Sequence, residues 1–197
     1  MGRETILYAI LMLLQAVVIV YFVRRNRMLK KQMGTTEAAP EDESYLGLRN
    51  LAINVTPAQL KLTIPGNETL VYGVIMDCDF GAMIVTLTAY ITGAANIYFS
   101  TGGGKTGGGK SPAVGEAAVE LVTTAQSYIS RAIRVSAAEP CDKGCVRFYL
   151  LTNKGIYAAQ EQLLHIEDGT SAWIKLFEKG NEIVNLMHNS GNGSMPH

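Results

Sequence analysis

From Thr5 to Val23 the chain reads TILYAILMLLQAVVIVYFV, a run with no charged residue and a single amide, Gln15. No other stretch limits the fold as strongly, because a helix apolar on every side must be buried in a large core or in a membrane. It would extend about 28 Å at the helical rise per residue, close to the hydrocarbon thickness of a bilayer. Tyr8 and Tyr21 fall near its ends, and Arg24, Arg25, Arg27, Lys30 and Lys31 follow it. Cations gather on the cytoplasmic side of a span, so the asymmetry predicts an N-terminus outside and a cytoplasmic domain. Where a signal peptide would carry a small-residue cleavage site, this chain has RRNR, which argues against removal of the run. The expectation is a single-pass protein of the cell membrane, held there by residues 5–23, with 1–4 as a short tail.

The remainder has the composition of an ordinary globular domain. Lys+Arg and Asp+Glu both number 17, so the net charge is zero and no overall field attracts nucleic acid. The basic cluster lies beside the apolar run, and Tyr98, Phe99, Phe148 and Tyr149 lack a basic surround, so nucleic-acid binding is not expected. Three cysteines are too few for a disulfide framework and suit a reducing compartment. Residues 24–45 read as a linker, basic and then acidic through Glu37, Glu41, Asp42 and Glu43. A globular domain is expected over 46–189 and a polar tail over 190–197.

Thr56-Pro57 reads as an N-cap followed by a first-turn proline, opening a short helix through Leu62. Strand-like runs follow at Leu70–Cys78, Met83–Thr92 and Asn96–Thr101, with links short enough to demand antiparallel hairpins. In the second run Met83, Val85, Leu87, Ala89 and Ile91 alternate with Thr86, Thr88 and Tyr90, as a sheet with one well-buried face requires. Val114, Ala117, Ala118, Leu121, Val122, Ala125, Ile129 and Ala132 recur at helical spacing. CVRFYLLT and GIYAAQEQ then form a hairpin about Asn153-Lys154-Gly155. Ser171 caps a last helix striped by Trp173, Leu176, Phe177, Gly180, Ile183, Val184 and Met187, which read as core residues. The expected fold is α+β: a five-stranded, mostly antiparallel sheet in the order βββαββα, with two amphipathic helices on one face.

This order and size are similar to the profilin-like and roadblock-like small domains, a topological likeness that implies an interaction or small-ligand module. The stretch VYGVIMDCDFGAMIVTLTAYITGAANIYFSTGGGKTGGG, with VRFYLLTNKGIY later, also resembles a family of uncharacterised bacterial proteins. Its mark is a tyrosine-phenylalanine-serine-threonine-triglycine signature, and the likeness covers roughly Thr56 to Met187. It implies a shared fold and importance for Gly102 to Gly109, and no particular chemistry. The family pattern usually lacks the Lys110-Ser111 pair, so nothing about that pair follows from it.

The loop Gly102-Gly103-Gly104-Lys105-Thr106-Gly107-Gly108-Gly109-Lys110-Ser111 holds a GxxxxGKS pattern from Gly104, between a strand and a helix. Phosphates want converging amides, a lysine, a hydroxyl and a helix N-terminus, and all are present by type. A P-loop enzyme, however, continues into a parallel crossover with a magnesium-binding aspartate, and an antiparallel meander offers neither. The candidate ligand residues are therefore Gly102, Gly103, Gly104, Lys105, Gly107, Gly108, Gly109, Lys110 and Ser111, for an anion or nucleotide. Asp77-Cys78-Asp79 puts two carboxylates at a strand end, suited to acid–base work or to turn hydrogen bonds. Cys141 and Cys145 lack the CxxC spacing, and His165 and His188 are remote, so no metal site is expected. Cys78 with His165 as base has no local signature.

No catalytic set is complete and no cofactor is implied. The sequence points to a non-catalytic interaction or scaffold module with a protein partner or a second copy of itself. An anion or nucleotide sensor at residues 102–111 comes next, then a small hydrolase at Asp77-Cys78-Asp79.

Overall fold

Strand β1 (Val71–Asp79) is buried along nearly its whole length. Val74, Met76 and Cys78 join one apolar cluster, whereas Tyr72 and Ile75 join another. A strand closed on both faces must sit at the centre of a sheet and needs a layer on each side. The computed structural model, which describes residues 44–108 and 111–189, shows that arrangement.

On one side β1 pairs with β2 (Ile84–Tyr90), which pairs in turn with β3 (Ala95–Phe99), and β4 (Gly104–Lys105) adds a short edge. On the other side β1 pairs with β6 (Cys145–Thr152), then β7 (Gly155–Gln162), and β5 (Ile133–Val135) closes the row. Every pairing is antiparallel, in the order β4-β3-β2-β1-β6-β7-β5.

One face is covered by α2 (Pro112–Ala125) and α4 (Ile174–Asn189). In α2 the buried residues Val114, Ala117, Ala118, Leu121, Val122 and Ala125 fall on one stripe, as helical spacing demands. In α4 the stripe is Leu176, Phe177, Gly180, Ile183 and Met187. Gly180 permits close seating on the sheet, since a Cβ there would lie 2.6 Å from Cε of Met76. Trp173 stacks on Phe148 at 5.3 Å and meets Tyr128 at 5.0 Å, so it is a core residue.

The second face is covered by α1 (Tyr45–Ile53) and the irregular stretch after it. Tyr90 donates its O–H to the Ala52 carbonyl and Tyr72 to the Val55 carbonyl, each at 2.8 Å. The two tyrosine hydroxyls thereby find acceptors at the end of α1 and just after it, on an otherwise apolar surface. Thr56 and Gln59 do exchange capping bonds, but the chain leaves the helical path after one turn. Lys61 takes a left-handed conformation (φ 57°), and Leu62 N–H reaches back to the Pro57 carbonyl at 2.9 Å. The expected helix through Leu62 is therefore a single closed turn.

Four further expectations are corrected. The sheet has seven strands, not five, because β4 and β5 are too short to produce a hydrophobic period. It has helices on both faces, because Tyr45–Ile53, where no helix was expected, forms α1 against the second face. Among the described residues no helix is long and apolar enough to cross a membrane. The longest, α4, has 16 residues and carries a polar face, so a single-pass architecture and a cell-membrane location are not supported. The run at 5–23 that suggested them lies outside the described residues, as do the linker before Ser44, Gly109, Lys110 and the tail from 190. The long helix expected from Val114 to Ala132 ends as α at Ala125, passes into a 3-10 turn over Gln126–Arg131, and straightens into β5 (α3 is the short helix Leu163–Glu167).

Candidate functional site

The glycine loop is built into the sheet. Gly102 and Gly103 have φ of 93° and 83°, a conformation that glycine adopts without strain, and they turn the chain between β3 and β4. Gly102 donates to the Phe99 carbonyl at 2.8 Å, and Phe99 donates to the Gly103 carbonyl at 3.1 Å. Gly104 pairs opposite Tyr98, and a Cβ on it would lie 2.4 Å from the Ile97 carbonyl oxygen. Gly107 donates its N–H to Oδ1 of Asn96 at 3.1 Å, and Ser111 donates its own to the Gly108 carbonyl at 3.0 Å. Gly108 faces Val114 and the Ala95 carbonyl, with room for no side chain.

An anion cradle needs such amides to point together into open space. Here the amides of Gly102, Gly107 and Ser111 are each bonded to an acceptor of the chain itself. Lys105, the cation expected to meet a phosphate, donates instead to the Met187 carbonyl, and lies 3.3 Å from that of His188. It thus binds the C-terminal end of α4, where a helix presents unpaired carbonyls and negative potential. Burial pulls its pKa below the ordinary lysine value. Ser111 stands just before α2 with Pro112 inside the first turn, and its side chain makes no capping bond. The remaining two members of the pattern, Gly109 and Lys110, lie outside the described residues.

The Asp77-Cys78-Asp79 region is more elaborate than its sequence suggests. Asp77 is wholly enclosed. Its Oδ2 accepts from Arg49 Nε at 2.9 Å and Nη2 at 2.6 Å, and its Oδ1 accepts from the Thr86 hydroxyl at 2.6 Å. Because Thr86 donates to Asp77, the Tyr45 hydroxyl donates to Thr86, at 2.9 Å. Arg49 also donates through Nη1 to the Ala138 carbonyl at 2.7 Å and through Nη2 to the Glu139 carbonyl at 3.3 Å. The Tyr149 hydroxyl donates to the same Glu139 carbonyl, and the Arg49 guanidinium lies 5.4 Å from the centre of the Tyr149 ring. Burial opposes the Arg49 charge, but the hydrogen bond and charge of Asp77 outweigh it, and the pKa is held above the usual value. Burial, aided by the charge of Asp77, pushes the Tyr45 hydroxyl up to about 12 despite the Thr86 bond.

These groups tie α1, β1, β2, β6 and the loop before β6 to one point. Sequence reasoning missed Arg49 and Tyr45, although a lone arginine in the otherwise uncharged helix YLGLRNLAI was a usable signal. Asp79, pointing the same way as Asp77, accepts from Gly81 N–H at 2.5 Å and serves the turn. Nothing in this network leaves a carboxylate facing a substrate-sized opening.

The cysteines are buried and unpaired. Burial raises the pKa of Cys78 well above its ordinary value, and with the charges of Asp77 and Asp79 it raises Cys141 to about 12. Cys145 is raised as well, by burial first. Such thiols stay protonated and are poor nucleophiles. His165 pairs with Glu161, 2.7 Å away, rather than with a cysteine. Among the described residues no three His, Cys, Asp or Glu side chains gather as a metal ion would require. No family model, curated protein or solved structure matches the chain.

Proposed function

We propose that this chain is a non-catalytic interaction module, which engages a protein partner or a second copy of itself. The observation that supports this most directly is the employment of its reactive groups. Asp77, Arg49, Lys105 and the buried thiols all serve the fold, through bonds within the chain or through enclosure. Meanwhile large apolar side chains stand in solvent at separate places: Leu46 and Leu51 on α1, Phe80 after β1, Ile133 on β5 and Leu164 on α3. Single exposed apolar residues are common, so the weight lies on what the polar groups are doing and the apolar ones complete the reading.

Native mass spectrometry of the full chain, titrated with magnesium-ATP and magnesium-GTP, tests it. A dimer, larger assembly or retained protein partner that ignores nucleotide supports the module. A stoichiometric nucleotide adduct lost in Lys110→Ala makes the loop at 102–111 a ligand site and overturns the reading.

A further inference from the structure

The two edges of the sheet differ in kind. At one end β4 consists of a glycine and a lysine, and Lys105 is bound to the end of α4. A short edge carrying lysine resists further pairing. At the other end β5 has the sequence Ile-Arg-Val, and Ile133 is 75% exposed, the highest value among the exposed large apolar residues. Among the described residues no strand pairs with the outer side of β5, and such an edge offers backbone donors and acceptors to an added strand.

The two faces of β5 carry different chemistry. Ile133 pairs with Ala158, and Val135 pairs with Ile156, on the face of the tyrosine-rich cluster. Arg134 pairs with Tyr157, which belongs to the opposite cluster. Arg131, just upstream, lies over the Tyr128 ring on that same side. Arg134 is exposed and makes no ion pair among the described residues, and the sequence holds no acidic residue between Glu120 and Glu139. The edge is therefore apolar on one face and cationic on the other.

We propose that the outer side of β5 is a docking edge for an extended segment of a protein partner, whose side chains alternate apolar and acidic. A strand added here presents successive side chains to opposite faces, so its apolar residues lie beside Ile133 and Val135 and its carboxylates beside Arg134 and Arg131. Backbone bonds supply affinity, and the alternation supplies register. A second copy fits less well: antiparallel self-pairing centred on Arg134 sets that arginine opposite itself, and like charges directly opposite are destabilising. This surface rests on the interaction-module reading and names the partner chemistry for it.

The test is fluorescence anisotropy of the full chain with three labelled peptides. One alternates valine and glutamate, one alternates valine and lysine, and one repeats the glutamate sequence with N-methyl groups on alternate amides. Saturable binding of the glutamate peptide, weaker by about tenfold or more for each of the others, is the expected result. Ile133→Lys and Arg134→Glu should each lose about tenfold with an unchanged melting temperature, and Arg134→Glu should gain affinity for the lysine peptide. Absence of saturable binding, or equal binding of the glutamate and lysine peptides, overturns the docking edge. So does a dimer of the full chain that Ile133→Lys dissociates, although that outcome keeps the module. A nucleotide adduct or substrate turnover removes the module itself, and the two failures are thereby distinct.

Discussion

Arg49 and Asp77 meet across two layers of the domain, with Nη2 and Nε of the arginine sharing one carboxylate oxygen at 2.6 and 2.9 Å. Their side chains are 2% and 0% exposed. A charge pair so enclosed has lost its hydration, and mutual attraction must offset that cost. Its effect on net stability is therefore small compared with the effect of breaking it. Asp77→Ala leaves a buried guanidinium, and Arg49→Met leaves a buried carboxylate beside Thr86. Each should destabilise the chain by about 3–5 kcal/mol.

The double variant Arg49→Met with Asp77→Leu should recover much of that loss, since neither charge remains. Urea denaturation of the four proteins in a mutant cycle measures the coupling directly. Single losses that add in the double variant would show that the pair does not act as a unit. In Arg49→Met, limited proteolysis between Asn54 and Ile64 should also quicken, because the guanidinium joins α1 to both β1 and the loop before β6.

The glycine loop should respond to substitution as a packed turn. At Gly104 a Cβ would sit 2.4 Å from a backbone oxygen of β3, and backbone cannot swing aside as a side-chain tip can. Gly104→Ala should cost about 1–3 kcal/mol. Gly66 has open space around its missing Cβ, and Gly66→Ala should change stability by no more than about 0.5 kcal/mol. Thermal melts of the two variants decide it; equal losses would mean that close approach at Gly104 is not what fixes the turn.

The parts of this fold that carry a long hydrophobic period were legible in the sequence. The stripe from Val114 to Ala125, that from Leu176 to Met187, and the hairpin CVRFYLLT–GIYAAQEQ all fall where their spacing put them. The second face was not legible. Thr86, Thr88 and Tyr90 alternate with apolar residues, a pattern that led to the expectation of one well-buried face, yet all three are buried. Hydroxyls can be enclosed when each finds a partner: Thr86 finds Asp77 directly across the β1–β2 hairpin, whereas Tyr90 finds the Ala52 carbonyl of α1, which no local pattern announces. Short range misled at the glycine loop too. Lysine near glycines suggests phosphate, but Lys105 is matched to carbonyls more than eighty residues away. Only the tertiary fold brings a helix end to that cation.

That contact makes its own prediction. Lys105→Met keeps the aliphatic stem and removes the donor that serves the Met187 and His188 carbonyls. The loss should be about 0.5–1.5 kcal/mol, the range for one such hydrogen bond. Hydrogen exchange should accelerate in the last turn of α4 and remain unchanged in β1. Uniform acceleration would place the effect in global stability instead and remove the capping role.

The thiols give a pH dependence whose sign is fixed. Burial raises Cys141 from its ordinary value of 9.0 to about 12, with the charges of Asp77 and Asp79 acting in the same direction. The unfolded chain then releases this proton above pH 9, whereas the folded chain keeps it until about pH 12. A raised folded pKa contributes stability that is complete below the unfolded value and is lost as pH climbs through that window. Tyr45, also pushed up to about 12, adds to the loss at the upper end. Denaturant midpoints measured from pH 8 to pH 11 should fall with pH, and the fall should be shallower in Cys141→Ala. In the same range Cys78, Cys141 and Cys145 should react with a disulfide reagent only as fast as the domain opens, and fully once it is denatured. Rapid modification of the native chain at pH 8 would mean that a thiol is exposed and ionised, contrary to its enclosure here.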